Sequence, residues 1–300
     1  MNPRIPVSEN SQVDGNRRLI RQLQKIKRYP IIPGGILGLI ILAAVFAPLI
    51  APHDPEFGYL GDREIPPFWS EEGSFNHLLG TDQQGRDIFS RIIFGARISM
   101  IIVITVVAIG GTVGVMLGMT AAWYGKHVDE FIMRLVDFTL AMPFILIALV
   151  TVIVFGQSLW ILILLLAVFS WNGYARQIRA DALRIKTEDY VAAARVTAAS
   201  GFWIMRKHIF PGVTNTLIVV ATLRVGSLIL AEAILSYLGA GIPKPTPAWG
   251  VMVADGRNYL GTSWWISFFP GLAIFLLVLS TNFMGDWLRD KLDPRLRQVQ

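Results

Sequence analysis

A chain of 300 residues in which 53% are hydrophobic and only 16% are charged is too apolar for a water-soluble domain, which carries about 25% charged residues. The net charge of +6 raises nucleic-acid binding, but the basic residues flank apolar runs instead of forming one stripe, which excludes that reading. With no cysteine, disulfides, thiol catalysis and thiolate metal sites are excluded too.

Charge-free windows place the elements in chain order. Residues 1–30 form a basic tail with seven Lys/Arg. The uncharged run 31–51 can cross a hydrocarbon core of about 30 Å and exceeds the 7–15 residues usual for a signal segment, so it reads as a retained first span. A loop at 52–96 follows, then a membrane core at 97–286 and a tail at 287–300. The second span is expected at 98–124. Residues 138–175 hold no charge over 38 positions, about 57 Å as one helix, so the chain must fold back. Phe155-Gly156-Gln157-Ser158 is the turn, giving a third span near 131–154 and a fourth near 159–176. The fifth and sixth are expected at 213–238 and 266–285. The fold class is therefore all-α, a polytopic membrane protein of six helices.

Orientation follows from basic asymmetry. With residues 1–30 inside, the inner segments hold 20 Lys/Arg and the outer ones 6, with Arg224 alone inside a span, so both termini are expected in the cytoplasm. Gly110, Gly114 and Gly118 recur every four residues, as do Gly34 and Gly38; such rows let helices approach closely in lipid. Pro143 removes a backbone donor and should bend the third span.

Several chemistries are missing. The chain has no phosphate-binding G-x-x-x-x-G-K-[ST] loop, no H-E-x-x-H and no G-x-S-x-G, and His53, His77, His127 and His208 are scattered along it. Asp82, Asp87, Asp54 and Glu56 read as solvated loop acids, so no metal site is expected. Arg134 and Asp137 read as an interfacial pair. Arg224 and Glu232, eight residues apart, share roughly one face of the fifth span. They either line a pathway or anchor packing, since ionisable groups in membranes face a bundle interior or a wet cavity.

Between the fourth and fifth spans lies a polar hairpin, residues 176–211. Its alanine-rich stretch 182–199 favours a helix, Ser200-Gly201 a break with Gly201 in the left-handed conformation, and 202–210 a second short helix before Pro211-Gly212. Small alanines leave a shallow surface against which another protein could pack.

The hairpin resembles the EAA loop of ABC-importer permeases. Ala193 and Ala194 match its two alanines and Pro211 its closing proline; Ala192 stands where Glu is expected, Ala198 for Gly, His208 for Ile and Phe210 for Leu. Residues 77–91, including Gly80-Thr81-Asp82 and Gly85-Arg86-Asp87, are similar to a signature of the dipeptide/oligopeptide permease C subunits. So are Gly95–Ser99, residues 231–239, Pro245-Thr246-Pro247-Ala248-Trp249-Gly250 and the ending at 282–295. The resemblance covers roughly residues 30–296.

It implies a type I importer permease, a non-enzymatic half of a peptide translocation pathway in a prokaryotic cell membrane. Its partners would be a homologous second permease, two ATPase subunits that bind ATP and magnesium, and an extracytoplasmic binding protein, with no cofactor in this chain. Tyr190, Ala193, Ala194, Arg195, Ala198, Gly201 and Pro211 would form the coupling helix that meets an ATPase. Arg224, Glu232 and Pro143 are pathway or gate candidates. The loops 52–97 and 240–265 would meet the binding protein or the partner permease, with Pro243, Pro245 and Pro247 restricting a rim. Relatives implied by the same likeness carry nickel chelates, glutathione or oligosaccharides. An ion-coupled carrier would instead need several mid-membrane acids or histidines.

Overall fold

The computed structural model describes residues 30–292, so the basic N-terminal tail and the residues after 292 lie outside the description. Among the described residues there are helices and turns and one isolated bridge, Thr81 with Asp87, but no strand. The helices are α1 (Ile31–Val45), α2 (Ala47–Ile50), α3 (Ile88–Tyr124), α4 (Lys126–Ala141), α5 (Phe144–Phe155), α6 (Leu159–Ile185), α7 (Asp189–Val196), α8 (Gly201–Ile204), α9 (Phe210–Tyr237), α10 (Trp249–Gly256) and α11 (Trp265–Leu292). Four continuous helical stretches among them are long and apolar enough to cross a membrane, and there are five when the bent pair α4–α5 is counted as one span.

The first span is shorter than expected. Its helix stops at Val45 and resumes at Ala47, because Pro48 has no amide to continue the ladder. The four long stretches and the bent pair lie at five of the six expected places, and the sixth holds this shorter, broken apolar helix, so the count of six spans is approximate. The third span is divided by Pro143 more sharply than a kink, since α4 and α5 meet at 78°. α3 starts ten residues before the expected boundary, at Ile88, where the Asp87 carboxylate caps it. α6 runs on to Ile185, well past the expected end of the fourth span.

Packing follows the small residues. α3 and α6 form the most extensive helix pair. A Cβ added at Gly118 would lie 2.6 Å from the Ala175 carbonyl oxygen, and Gly110 and Gly114 abut Ser170 and Tyr174 with equally little room. The glycine row thus sets the spacing of this pair. The shorter row is half used: a Cβ added at Gly34 would meet the Met284 side chain at 3.3 Å, while one added at Gly38 would meet no other element within 4 Å among the described residues. α11 closes the bundle against α9, α10 and α1, around a core that includes Ile102, Val106, Leu162, Leu166, Leu228, Ile229 and Leu277. Large apolar side chains such as Ile153, Leu49 and Trp160 remain uncovered, as befits a bundle whose solvent is hydrocarbon.

Candidate functional site

Three regions gather the chain's polar and unusual residues. The first is the hairpin between α6 and α9. It is not the single long helix plus short helix that composition suggests: α6 ends at Ile185, α7 spans only Asp189–Val196, and Gly201 opens a helical stretch that continues to Tyr237. A π-helical turn at Met205–Ile209 carries that stretch up to Pro211, whose missing amide falls in the first turn of α9. The proline therefore lies inside the helix and is no break. The left-handed residue is Ala198, at φ 58°, and not Gly201. Ser200 instead caps the next helix, accepting from the Trp203 amide at 3.3 Å.

Gly201 is needed for a different reason. A Cβ there would lie 2.8 Å from the indole of Trp123, which ends α3. Lys186 Nζ donates to the carbonyls of Ala122 (2.8 Å) and Trp123 (2.7 Å), satisfying orphan carbonyls at the end of α3. Burial, with the nearby Arg195 charge, holds Lys186 below the usual lysine value. Arg195 lies over the Trp123 ring at 5.3 Å, and Arg179 pairs with Asp129. Val191, Ile204, Ile209 and Val213 bury against Ile178, Ala182 and Ile185, fixing the hairpin to its own bundle.

The opposite face of the hairpin is uncovered. Val196 is 87% exposed and Phe202 71%, with Tyr190, Trp203, Ala192 and Ala193 also exposed beside them. Ala194 leans inward onto the buried cluster, so of the two matched alanines Ala193 is the one on the surface. Tyr190 and Trp203 both rest on the His208 ring, at 5.6 and 5.2 Å.

The second region is an open cavity of about 460 Å³ on the flank of the bundle. Arg224, Ser227, Asn172, Gln177 and Arg176 supply its polar wall, and Leu140, just before the α4–α5 break, part of the rest. Gly173 makes room for the Arg224 guanidinium. Glu232 does not share this cavity: it is 2% exposed, and its carboxylate accepts from the Ser236 hydroxyl at 2.6 Å. The expected Arg134–Asp137 pair is absent. Arg134 pairs with Glu130 one turn back, while Asp137 reaches across to Arg176 at 2.5 Å.

The third region is the loop end, about 55 Å away along the 37 residues of α3. Asp82 is buried, not solvated: its Oδ1 accepts from the amides of Gln84 (2.8 Å) and Arg86 (3.0 Å), and its Oδ2 from Arg86 Nε at 2.7 Å. Gly80 and Gly85, at φ 82° and 74°, supply the left-handed turns this fold requires. The Thr81 hydroxyl donates to the Asp62 carbonyl and accepts from the Ile65 amide. Arg91 donates to the Pro55 carbonyl, and Asp255 brings α10 to Arg86 (3.6 Å) and Lys244. Trp249 packs over Gly95 and donates from its indole to the Ile92 carbonyl at 2.9 Å. Asp87 caps α3 through the Ser90 amide and hydroxyl, and its other oxygen meets His77 Nδ1 at 3.0 Å. His53 also turns to Asp87, so two of the four histidines that look scattered in the chain meet here. Their separation in sequence gave no sign of it.

The chain as a whole is similar to known proteins. Residues 110–298 match the family model described as binding-protein-dependent transport system inner membrane component, and residues 31–67 match the N-terminal TM domain of oligopeptide transport permease C. The chain is 41% identical over 268 residues to the di/tripeptide transport system permease protein DppC of Pseudomonas aeruginosa, covering 89% of this chain and 88% of that protein. It is 43% identical over 270 residues to the dipeptide transport system permease protein DppC of Escherichia coli K12, covering 88% and 90%. Among solved structures, an inward-facing MetNI methionine ABC transporter chain superposes with TM-score 0.56 at 19% identity, over 68% of this chain and 96% of that one. A chain of an amino acid ABC transporter crystallised with histidines gives 0.52 at 16% identity, over 68% and 94%. These two likenesses concern the fold alone. A multi-pass helical bundle with matches at this level across most of its length belongs to the binding-protein-dependent transport system inner membrane component family, the permeases of ABC transporters.

Proposed function

We propose that the chain is one permease subunit of an ATP-driven importer for di- or oligopeptides. Peptide is the substrate class because the DppC relatives at 41% and 43% identity are named for di- and tripeptides. The observation that carries the coupling role is the uncovered apolar face at Tyr190, Ala193, Val196, Phe202 and Trp203, on a chain that has no phosphate-binding loop of its own. A face of that kind is held out of water by a partner. The partner is an ATPase subunit carrying ATP and magnesium, on the cytoplasmic side to which the basic asymmetry assigns the hairpin.

A homologous second permease completes the pathway, and an extracytoplasmic binding protein delivers peptide to the loop end. Closure of the two ATPases draws the hairpins together and biases the paired bundles between two rigid arrangements. Arg224, in the wall of the flank cavity, then faces the route between the subunits. Pro143 shapes that wall by breaking the helix beside Leu140. Glu232 holds α9 internally.

Uptake of a labelled dipeptide by cells carrying the full importer tests the docking face. Ala193→Arg is expected to reduce uptake to background while the subunit still inserts and the purified chain keeps its Tm. Normal ATP-dependent uptake in that variant would sink the docking role. Arg224→Ala is expected to lower uptake at unchanged subunit abundance; unchanged uptake would leave Arg224 to packing.

A further inference from the structure

At the loop end, His53, His77 and Asp87 converge from three separate points of the chain. His77 Nδ1 lies 3.0 Å from Asp87 Oδ1, and His53 Nδ1 lies 3.8 Å from Asp87 Oδ2. The two imidazole rings stack with centroids 4.7 Å apart and planes inclined by 33°. One nitrogen from each ring and one carboxylate oxygen all fall within 4.8 Å of one another.

A simple histidine–aspartate hydrogen bond accounts for His77. It leaves unexplained why a second imidazole presents its Nδ1 to the same carboxylate. The remaining surroundings sharpen the question. Asp87 is 2% exposed, and within ion-pair reach its basic neighbours among the described residues are the two histidines alone. Arg86 and Arg91, close in sequence, are both directed to Asp82.

We propose that His53, His77 and Asp87 form a binding site for a divalent transition-metal ion of the zinc type. Two imidazoles and one carboxylate are a donor set such ions prefer. Ligands of a tetrahedral ion with bonds near 2.05 Å stand about 3.4 Å apart; His77 Nδ1 stands 3.0 Å from Oδ1, His53 Nδ1 3.8 Å from Oδ2 and the whole set lies within 4.8 Å, so a small side-chain shift gathers the three donors around one ion. Ser90 holds the carboxylate from behind, its amide at 2.8 Å and its hydroxyl at 2.7 Å from Oδ2, the outer support that metal-binding carboxylates use. The His53 side chain is 40% exposed, so a coordination position opens to solvent on that side. The ion ties the segment leaving α2 to the first turn of α3.

Isothermal titration of ZnCl₂ into the full-length chain in nanodiscs, chelator-stripped and carrying a tag without histidine, tests the site. One saturable site per chain is expected, together with a Tm that rises on zinc addition. His53→Ala should weaken binding by more than the roughly 10–100-fold that loss of an outer-shell partner costs, and should lose the zinc-dependent Tm rise. Because His53 is half in solvent, this variant should keep the zinc-free Tm of the wild type. His127→Ala, at the far end of α3, should bind as wild type does. Absence of saturable binding, or equal binding by wild type and His53→Ala, overturns the proposal.

Discussion

At the loop end, Arg86, Arg91, Asp82 and the Asp255 side chain are almost wholly buried and neutralise one another; at the hairpin end, charges lie outside and large apolar side chains are bare. Both ends are polar by composition, so sequence makes them look alike. Their difference is whether the polar groups find partners within the chain. Asp82 is satisfied by two amides and two guanidiniums, which makes that end a rigid block. The hairpin is tied down on one side by Val191, Ile204 and Ile209, and among the described residues its other side is left largely uncovered. One end pairs its charges within the chain, whereas the other leaves an apolar face open.

This contrast can be broken at its strongest point first. Arg86→Ala leaves Asp82 and Asp255 buried without their shared cation, which should cost about 3–5 kcal/mol. A marked drop in Tm of the purified chain is expected, and an unchanged Tm would show the loop end to be less rigid than drawn. At the hairpin, Ala198→Gly should stabilise by about 1 kcal/mol, since Ala198 is held at φ 58° where glycine carries no Cβ penalty. Slower amide exchange across α7 is the readout; faster exchange would mean that added chain freedom in the unfolded state outweighs the relieved strain. The smallest stability effect belongs to Phe202→Ser. With 71% of Phe202 exposed, Tm should move by no more than about 0.5 kcal/mol equivalent, yet peptide uptake should fall. A large loss of Tm there would mean that the bare face supports its own bundle.

Much of the fold was legible because lipid imposes a simple code. Charge-free windows marked the helices, Gly110, Gly114 and Gly118 announced a close helix contact that proved to be α3–α6, and Pro143 announced a bend that proved to be a break. What escaped was set by partners distant in the chain. Asp82 and Asp87 resemble any loop acids until the turns at Gly80 and Gly85 fold arginine and histidine onto them. Asp137 chose Arg176 across a helix interface over Arg134 three residues away. Ala198 carried no left-handed signal, because alanine reads as a helix former. Its conformation explains why glycine is the expected residue at that place in the resembling loop. The continuity of the helix through Pro211 was hidden as well, since only a widened turn lets a proline pass there.

That continuity has a mechanical consequence. From Gly201 to Tyr237 the chain is one helical strut of 37 residues, about 55 Å long, with Phe202 at one tip and Ser236, wedged against Gly241 and Gly250, near the other. A tilt of roughly 5° about one tip swings the other by about 5 Å, close to the rise of a full helical turn. A shove of that size at the hairpin would reach the far side of the bundle, less whatever the widened turn at Met205–Ile209 and Pro211 absorb near the tip.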